Sequence, residues 1–181
     1  MLSTEAVQRI SAVGILADVG FGCTKLGVGT ACASPALVAD GAHSLADVLV
    51  GAVSYGAYAA ARAPPDEEHP YGHGKFEAGG SLVVGGALVA TGAAAAANAA
   101  TMATAAPDVM TLPAVTACAG VAALSIAGKE WLYRATLRAG ERGRSDAIVA
   151  NAHHHRSDAY ASIAALGGIV GTYALGVPCS A

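Results

Sequence analysis

Five long apolar segments, separated by short polar connectors, constrain the fold of this chain more than any other feature. They predict helices over about 10–32, 36–61, 76–103, 111–133 and 146–177. A helix rises about 1.5 Å per residue and the hydrocarbon layer of a bilayer is about 30 Å thick, so each segment is long enough to cross it. The sequence therefore predicts an all-α, polytopic transmembrane helix bundle.

The composition supports this prediction without deciding it. Hydrophobic residues make up 54% of the 181 residues, charged residues 13%, and the mean hydropathy is +0.50. Much of the apolar share is alanine, and there are 23 glycines, so a soluble alanine-rich bundle is an alternative on composition alone. The net charge of −3 does not indicate a nucleic-acid partner.

The placement of positively charged residues favours a membrane protein over a soluble bundle. Of the ten Lys and Arg residues, eight lie before the first segment, between the second and third, or around the connector from the fourth to the fifth. The connectors over 33–36 and 104–111 contain none. This alternation follows the positive-inside rule and predicts an integral, multi-pass protein whose N terminus and charged connectors are cytoplasmic, in a membrane that the sequence does not specify. The eight residues are Arg9, Arg62, Lys75, Lys129, Arg134, Arg138, Arg142 and Arg144.

Two apolar segments each contain a His and an Asp four residues apart. His43 and Asp47 lie in ADGAHSLAD of the second segment, and His154 and Asp158 lie in NAHHHRSD of the fifth. Residues at this spacing share one face of a helix. Two such helices facing each other would offer two nitrogen and two oxygen ligands, a set suited to a tetrahedral divalent metal such as zinc. Both aspartates would lie near the bilayer centre, in antiparallel helices.

Other polar residues surround these motifs. Asp40 lies three residues before His43 on the same face, and could support the ligands or line the path to them. Arg156 is two positions from both His154 and Asp158 and is expected to point away from the site. His153 and His155 lie on other faces, where they could still support the ligands.

Three stretches, ADGAHSLAD, RAPPDEEHPYGHGKFE and ANAHHHRSDAYAS, resemble the cation diffusion facilitator family of divalent-metal/proton antiporters. The resemblance covers about a quarter of the chain. It implies that His43, Asp47, His154 and Asp158 form an intramembrane transport site. It also implies Zn²⁺ as the transported ion, with Fe²⁺ and Mn²⁺ left open. No enzymatic activity and no organic cofactor are expected.

The resemblance implies a second metal site in the loop after the second segment. Asp66, His69 and His73 match a cytoplasmic loop site of some relatives, and the Gly72-His73-Gly74 turn could bring His73 back toward His69. The alternative is that this acidic, proline-rich loop is only solvated.

The family pattern has six transmembrane helices followed by a cytoplasmic, dimer-forming domain. Here residues 1–181 would supply five of the six helices as a partial transmembrane domain, without the cytoplasmic domain, and the full-length form would be a homodimer. The expected function is export of divalent metal from the cytosol in exchange for protons. A membrane-bound metal-binding or regulatory fragment that transports nothing is the alternative. A soluble metalloenzyme is disfavoured because four protein ligands leave no coordination position for water.

Overall fold

The computed structural model describes residues 4–102 and 110–174, and within these ranges the chain forms five α-helices. The predicted all-α class is confirmed. Within the same ranges the first four helices are long and apolar enough to cross a membrane, whereas the fifth is equally long but has the polar NAHHHRSD motif in its first half. The helices are α1 (Thr4–Ala31), α2 (Pro35–Ala61), α3 (Lys75–Met102), α4 (Leu112–Gly143) and α5 (Asp146–Ala174).

Helix α4 is longer than the sequence predicted. Its predicted end near 133 is wrong, because residues 134–143, expected to be a basic connector, continue the helix to Gly143. Good helix formers dominate this stretch, and an ion pair of 2.7 Å between Glu130 and Arg134, four residues apart, favours the helix across the predicted boundary. Helix α1 also begins earlier than predicted, at Thr4. Residues 103 and 175–177 of the predicted helices lie outside the described ranges.

Two helical hairpins, α1–α2 and α4–α5, have turns of the same construction. In each turn a residue with positive φ, Ala33 (51°) or Arg144 (49°), precedes a serine that caps the next helix. Ser34 Oγ accepts a hydrogen bond from the backbone N–H of Leu37 at 3.4 Å, and Ser145 Oγ accepts one from Ile148 at 3.3 Å. The two hairpins therefore begin their second helix in the same way.

The helices of each hairpin also approach each other at an equivalent glycine. A Cβ built on Gly29 would lie 2.9 Å from the backbone nitrogen of Val38, and one built on Gly140 would lie 2.9 Å from that of Val149. Each glycine is five residues before its capping serine. The hairpins are thus two copies of one structural unit, although their sequences differ.

Helices α2 and α5 are antiparallel neighbours. Near the start of α2, Asp40 accepts hydrogen bonds of 3.1 Å from Ser162 in the second half of α5. Near the end of α2, Ser54 donates to the carbonyl of Ala147 at the start of α5, at 2.9 Å. The α1–α2 and α4–α5 turns consequently lie at opposite ends of the bundle, so the two hairpins have inverted orientations.

The apolar core consists of two clusters, one at each end of the bundle. A layer of buried charged residues separates them, and we call it the polar layer. Near the α1–α2 turn the buried apolar residues are Leu37, Val115, Cys118, Ala122 and Ile169. Near the α4–α5 turn they are Val7, Tyr58, Ala139 and Ile148. The polar layer contains Asp18, Lys25, Asp40, Asp47, Lys129, His154, His155 and Asp158.

Helix α3 packs against α2 and α5 and leaves most of its surface exposed. Its start is tied to the rest of the bundle by Arg62, which follows α2. The Arg62 guanidinium forms an ion pair of 3.1 Å with Glu77 and donates to the carbonyl of Gly143 at 2.8 Å. The same side chain lies over the Tyr58 ring, so one arginine joins the ends of α2 and α4 to the beginning of α3.

Candidate metal site

The structure brings the two His-x-x-x-Asp motifs together between α2 and α5. His154 Nε2 lies 3.1 Å from Asp47 Oδ1, and His43 Nε2 lies 3.9 Å from Asp158 Oδ1. Each histidine therefore contacts the aspartate of the other helix. Within its own motif, His43 is 3.9 Å from Asp47 and His154 is 3.6 Å from Asp158. Ligand atoms of His43, Asp47 and Asp158 all lie within 4.8 Å of one another, a spacing that a single ion could bridge.

The four side chains differ in exposure. Those of Asp47, His154 and Asp158 are 1–3% exposed, whereas that of His43 is 26% exposed. Burying charged and polar side chains within membrane-spanning helices is energetically unfavourable unless they are paired or bind an ion. His43 is consequently the most exposed member of the group.

The hairpin repeat explains why the motifs meet. His43 and Asp47 follow the capping residue Ser34 by nine and thirteen residues, and His154 and Asp158 follow Ser145 by the same intervals. Because the turns lie at opposite ends of the bundle, equal distances from them place both motifs at the same depth. Inverted repeats with the binding site where they meet are a common architecture of secondary transporters.

A lysine that the sequence analysis did not assign to the site lies within it. Lys129 of α4 is fully buried, and its Nζ atom lies 2.8 Å from Asp158 Oδ2 and 3.3 Å from Asp47 Oδ2. The same atom is 2.6 Å from Asp18 Oδ1 of α1. Three carboxylates on three helices thus surround one ammonium.

The sequence prediction for Lys129 is wrong, because it grouped this residue with the positive charges of a cytoplasmic connector. A periodicity in α4 could have indicated the buried position. Ser125, Lys129 and Thr136 are fully buried and follow the spacing of one helix face, together with Ala122 and Leu132. A lysine on the same face as small polar and apolar residues points into a bundle.

Asp40 does not contact the two motifs. Its carboxylate forms an ion pair of 2.9 Å with Lys25, which is fully buried. Lys25 also donates to Ser44 and Ser162, each at 3.1 Å. This network joins α1, α2 and α5 between the two motifs and the α1–α2 turn.

The other residues of the NAHHHRSD motif face away from the four-residue group. Arg156 donates to the Tyr133 hydroxyl at 3.0 Å, in the direction expected from the sequence. His153 is exposed and its ring lies 5.7 Å from that of Tyr133. His155 is buried, with Nδ1 4.0 Å from Asp18 Oδ1, so within the polar layer it lies toward α1.

A second cluster of ligand types lies in the loop between α2 and α3. Asp66 Oδ1 accepts a hydrogen bond from the backbone N–H of His69 at 2.7 Å and lies 3.2 Å from His69 Nδ1. Asp66 Oδ2 lies 3.3 Å from His73 Nε2, and the two imidazole rings are 4.3 Å apart. Gly72, with a φ of 79°, allows the chain to turn between the two histidines.

The hydrogen bond from the His69 backbone holds the pKa of Asp66 below its ordinary value, with help from the two imidazoles. The carboxylate is therefore ionised and available as a ligand. Ligand atoms of Asp66, His69 and His73 lie within 4.8 Å of one another. The loop thus has the geometry of a three-ligand site at the surface.

Comparison with known proteins agrees with this arrangement. The family model of the cation efflux transmembrane domain matches residues 11–179. The chain belongs to the cation efflux, or cation diffusion facilitator, family. It is accordingly an integral, multi-pass membrane protein.

The relatives include plant and bacterial proteins. Metal tolerance protein C1 of Arabidopsis thaliana is 42% identical over 93% of this chain and 38% of its own length. Metal tolerance protein 2 of Oryza sativa is 39% identical over 96% of this chain and 50% of its own length. The manganese efflux system protein MneP of Bacillus subtilis is 32% identical over 90% and 54%. The chain thus spans about half the length of these relatives or less. No solved structure gives a significant match.

Proposed function

We propose that this chain binds a divalent cation between α2 and α5, and that it moves the ion across the membrane in exchange for protons. The proposed ligands are His43, Asp47, His154 and Asp158. Zn²⁺ is the preferred ion because two imidazole nitrogens and two carboxylate oxygens suit a tetrahedral, borderline-soft cation. Export from the cytosol is the proposed direction, as the family resemblance implies.

The observation that carries this proposal is the crossed contact of the two motifs. His154 approaches Asp47 at 3.1 Å and His43 approaches Asp158 at 3.9 Å, although 107 residues separate the first two. Helices α2 and α5 would have to pack in this register for an ion to receive ligands from both. A role for these side chains in helix packing alone would not need two matching sets of ligand types.

The formal charge of the site supports a divalent ion. Asp18, Asp47 and Asp158 surround Lys129, so three carboxylates and one ammonium leave a formal charge of −2 when the imidazoles are neutral. One divalent cation would neutralise this charge. Burial of uncompensated charge is unfavourable, and a monovalent ion would leave a net charge of −1 among these buried groups.

Proton exchange follows from the ligand types. A metal binds neutral imidazole and ionised carboxylate, so loading the ion displaces protons from these groups and protonation releases it. The inverted hairpins supply a means of alternating access, because two similar units can rock against each other around a site at their junction. Relatives named for metal tolerance and for manganese efflux are consistent with this proposal.

Flux through reconstituted vesicles tests the proposed function. The 181-residue chain is placed in liposomes loaded with a zinc-sensitive dye, and a proton gradient is imposed. We expect zinc to enter in the direction opposite to the protons, and the internal pH to change with it. The Asp47→Ala variant is expected to lose this flux, whereas His153→Ala, altered at an exposed histidine of the same motif, keeps it.

Two outcomes would contradict the proposal in different ways. Zinc binding without flux and without decay of the proton gradient would favour the alternative, a membrane-bound metal-binding or regulatory protein. Absence of any zinc binding would remove the metal site itself. The same vesicles with Mn²⁺ and Fe²⁺ compare the ions that the sequence left open.

A further inference from the structure

Lys129 contacts the same two carboxylates that a metal ion would need, through their Oδ2 atoms, whereas the histidines approach their Oδ1 atoms. Its Nζ atom contacts Oδ2 of both Asp47 and Asp158, the two proposed carboxylate ligands, at 3.3 and 2.8 Å. An ammonium is a compact cation with three hydrogen-bond donors, so it neutralises carboxylates from a tethered position. Metal and ammonium cannot both be close to the same two carboxylates without strong mutual repulsion.

Asp18 gives the ammonium another partner. Asp18 Oδ1 is already 2.6 Å from Lys129 Nζ, and the other oxygen, Oδ2, accepts no hydrogen bond from any residue that the structure describes. The carboxylate belongs to α1, and it is not part of either motif. Because Asp18 is already the shortest contact of the ammonium, a small rotation about the flexible lysine stem would break its contacts with Asp47 and Asp158 and keep the one with Asp18, without exposing the charge.

The hairpin repeat places these two residues in equivalent positions. Asp18 precedes Gly29 by eleven residues, and Lys129 precedes Gly140 by the same interval. Helix α1 thus carries the acidic Asp18 and α4 the basic Lys129 at equivalent positions. Both lie at the same depth as the two motifs of α2 and α5. The ion pair between these two residues joins α1 to α4 within the polar layer.

On the basis of the proposed function, we propose that the Lys129 ammonium is an internal competitor of the metal, and that Asp18 receives it when the metal binds. In the ion-free site the ammonium neutralises part of the charge on Asp47 and Asp158. In the loaded site it is paired with Asp18, and the two motif carboxylates hold the ion. Lys129 and Asp18 are therefore positioning residues that set the affinity, and neither is a metal ligand.

The proposal predicts that two single variants change the zinc affinity in opposite directions. The purified 181-residue chain with Asp66, His69 and His73 replaced by Ala, which removes the loop cluster, is the unaltered reference here, and it is titrated in detergent with Zn²⁺ against a fluorescent chelator. Removing the competitor in Lys129→Met is expected to raise the affinity by about tenfold or more. Removing its second partner in Asp18→Asn is expected to lower the affinity by a similar factor, because the ammonium then stays on Asp47 and Asp158.

A double variant separates competition from a general electrostatic effect. If Asp18 acts by receiving the ammonium, Asp18→Asn has little effect, less than about threefold, once Lys129 is already Met. A field effect of the Asp18 charge would instead persist in that background. The double variant Lys25→Met, Asp40→Leu is the matched control, because it removes an equally buried ammonium together with its partner, and it should not raise zinc affinity.

The results that overturn the inference differ from those that overturn the proposed function. Weaker zinc binding in Lys129→Met, or an equal effect of Asp18→Asn in both backgrounds, contradicts the competitor role while zinc binding by the unaltered chain stands. Absence of zinc binding by the unaltered chain contradicts the proposed function instead. If Lys129→Met does not fold, Lys129→Gln removes the charge, keeps a hydrogen-bond donor and has the same expected sign.

Discussion

His154 on α5 contacts Asp47 on α2, with 3.1 Å between Nε2 and Oδ1. This contact joins the histidine of one motif to the aspartate of the other. Because neither helix alone carries all four proposed ligands, the proposed site requires α2 and α5 to be packed in this register. Any movement that separates the two helices would therefore change the affinity for an ion, which is a requirement for a carrier.

Metal preference should depend on His43. Replacing its nitrogen with an oxygen in His43→Asp gives a site richer in hard ligands, which favours Mn²⁺ relative to Zn²⁺. We expect the ratio of zinc to manganese affinity to fall by about tenfold, equivalent to about 1.4 kcal/mol. Competitive titration of the two metals measures this ratio. His153→Asp, at an exposed position outside the site, is the control, and an equal change in both variants would contradict the assignment of His43.

The loop cluster should bind a metal ion independently of the intramembrane site. His69→Ala is expected to remove one equivalent of bound zinc and to leave proton-driven flux within about twofold, because the loop lies outside the helices. Glu67→Gln, at an exposed acidic neighbour, is the control and should keep both equivalents. Retention of the full zinc stoichiometry in His69→Ala would mean that the loop is only solvated.

Mild acidification should release zinc from the loop through its histidines. The pKa of Asp66 is held below the ordinary value, so this carboxylate stays ionised in mild acid, and competition between protons and zinc falls on the other two ligands of the loop. The hydrogen bond from the His69 backbone to the ionised Asp66 is present above the ordinary pKa of this carboxyl and is lost only as the pH falls through the lowered value. Zinc titrations of Asp66→Ala and the unaltered chain between about pH 5 and 8 should show a lower affinity for the variant but a similar pH dependence. A shallower dependence in the variant would assign the effect to Asp66.

The network of Lys25 and Asp40 should contribute to stability and not to metal binding. Asp40→Asn leaves the buried Lys25 charge uncompensated, so the free energy of unfolding should fall by about 3–5 kcal/mol. The double variant Lys25→Met, Asp40→Leu removes both charges and should cost less than the single one. Reversible unfolding in mixed detergent micelles measures these values.

A surface ion pair is the reference for that experiment. Glu130→Gln breaks the exposed contact with Arg134 and is expected to cost less than about 1 kcal/mol. If Asp40→Asn costs no more than Glu130→Gln, the buried network does not stabilise the bundle as described.

The helical class and the two motifs could be predicted from the sequence because both depend on local spacing. Apolar length gives the helices, and the four-residue spacing places His43 with Asp47 and His154 with Asp158. The packing of α2 against α5 belongs to the tertiary structure. Residue spacing within each helix is compatible with it but does not determine it. The proposed ligand roles, the cytoplasmic orientation and the homodimer of a full-length form remain predictions.

Lys129 shows what local reasoning misses. It lies close to the predicted end of the fourth segment at 133, where positive charge is typical of a connector. Its burial depends on carboxylates from α1, α2 and α5, which no window of α4 sequence contains. Asp18 and Lys25 likewise take partners on other helices, Lys129 and Asp40, even though they share a face of α1.

The most direct test of the central claim is zinc stoichiometry in a chain that lacks the loop cluster. With Asp66, His69 and His73 all replaced by Ala, the chain in detergent should retain one zinc ion, and X-ray absorption should show only nitrogen and oxygen ligands. Adding Asp47→Ala or Asp158→Ala should abolish this binding, because each removes a carboxylate from the crossed motifs. Retention of one tightly bound zinc in both of those variants would contradict the account.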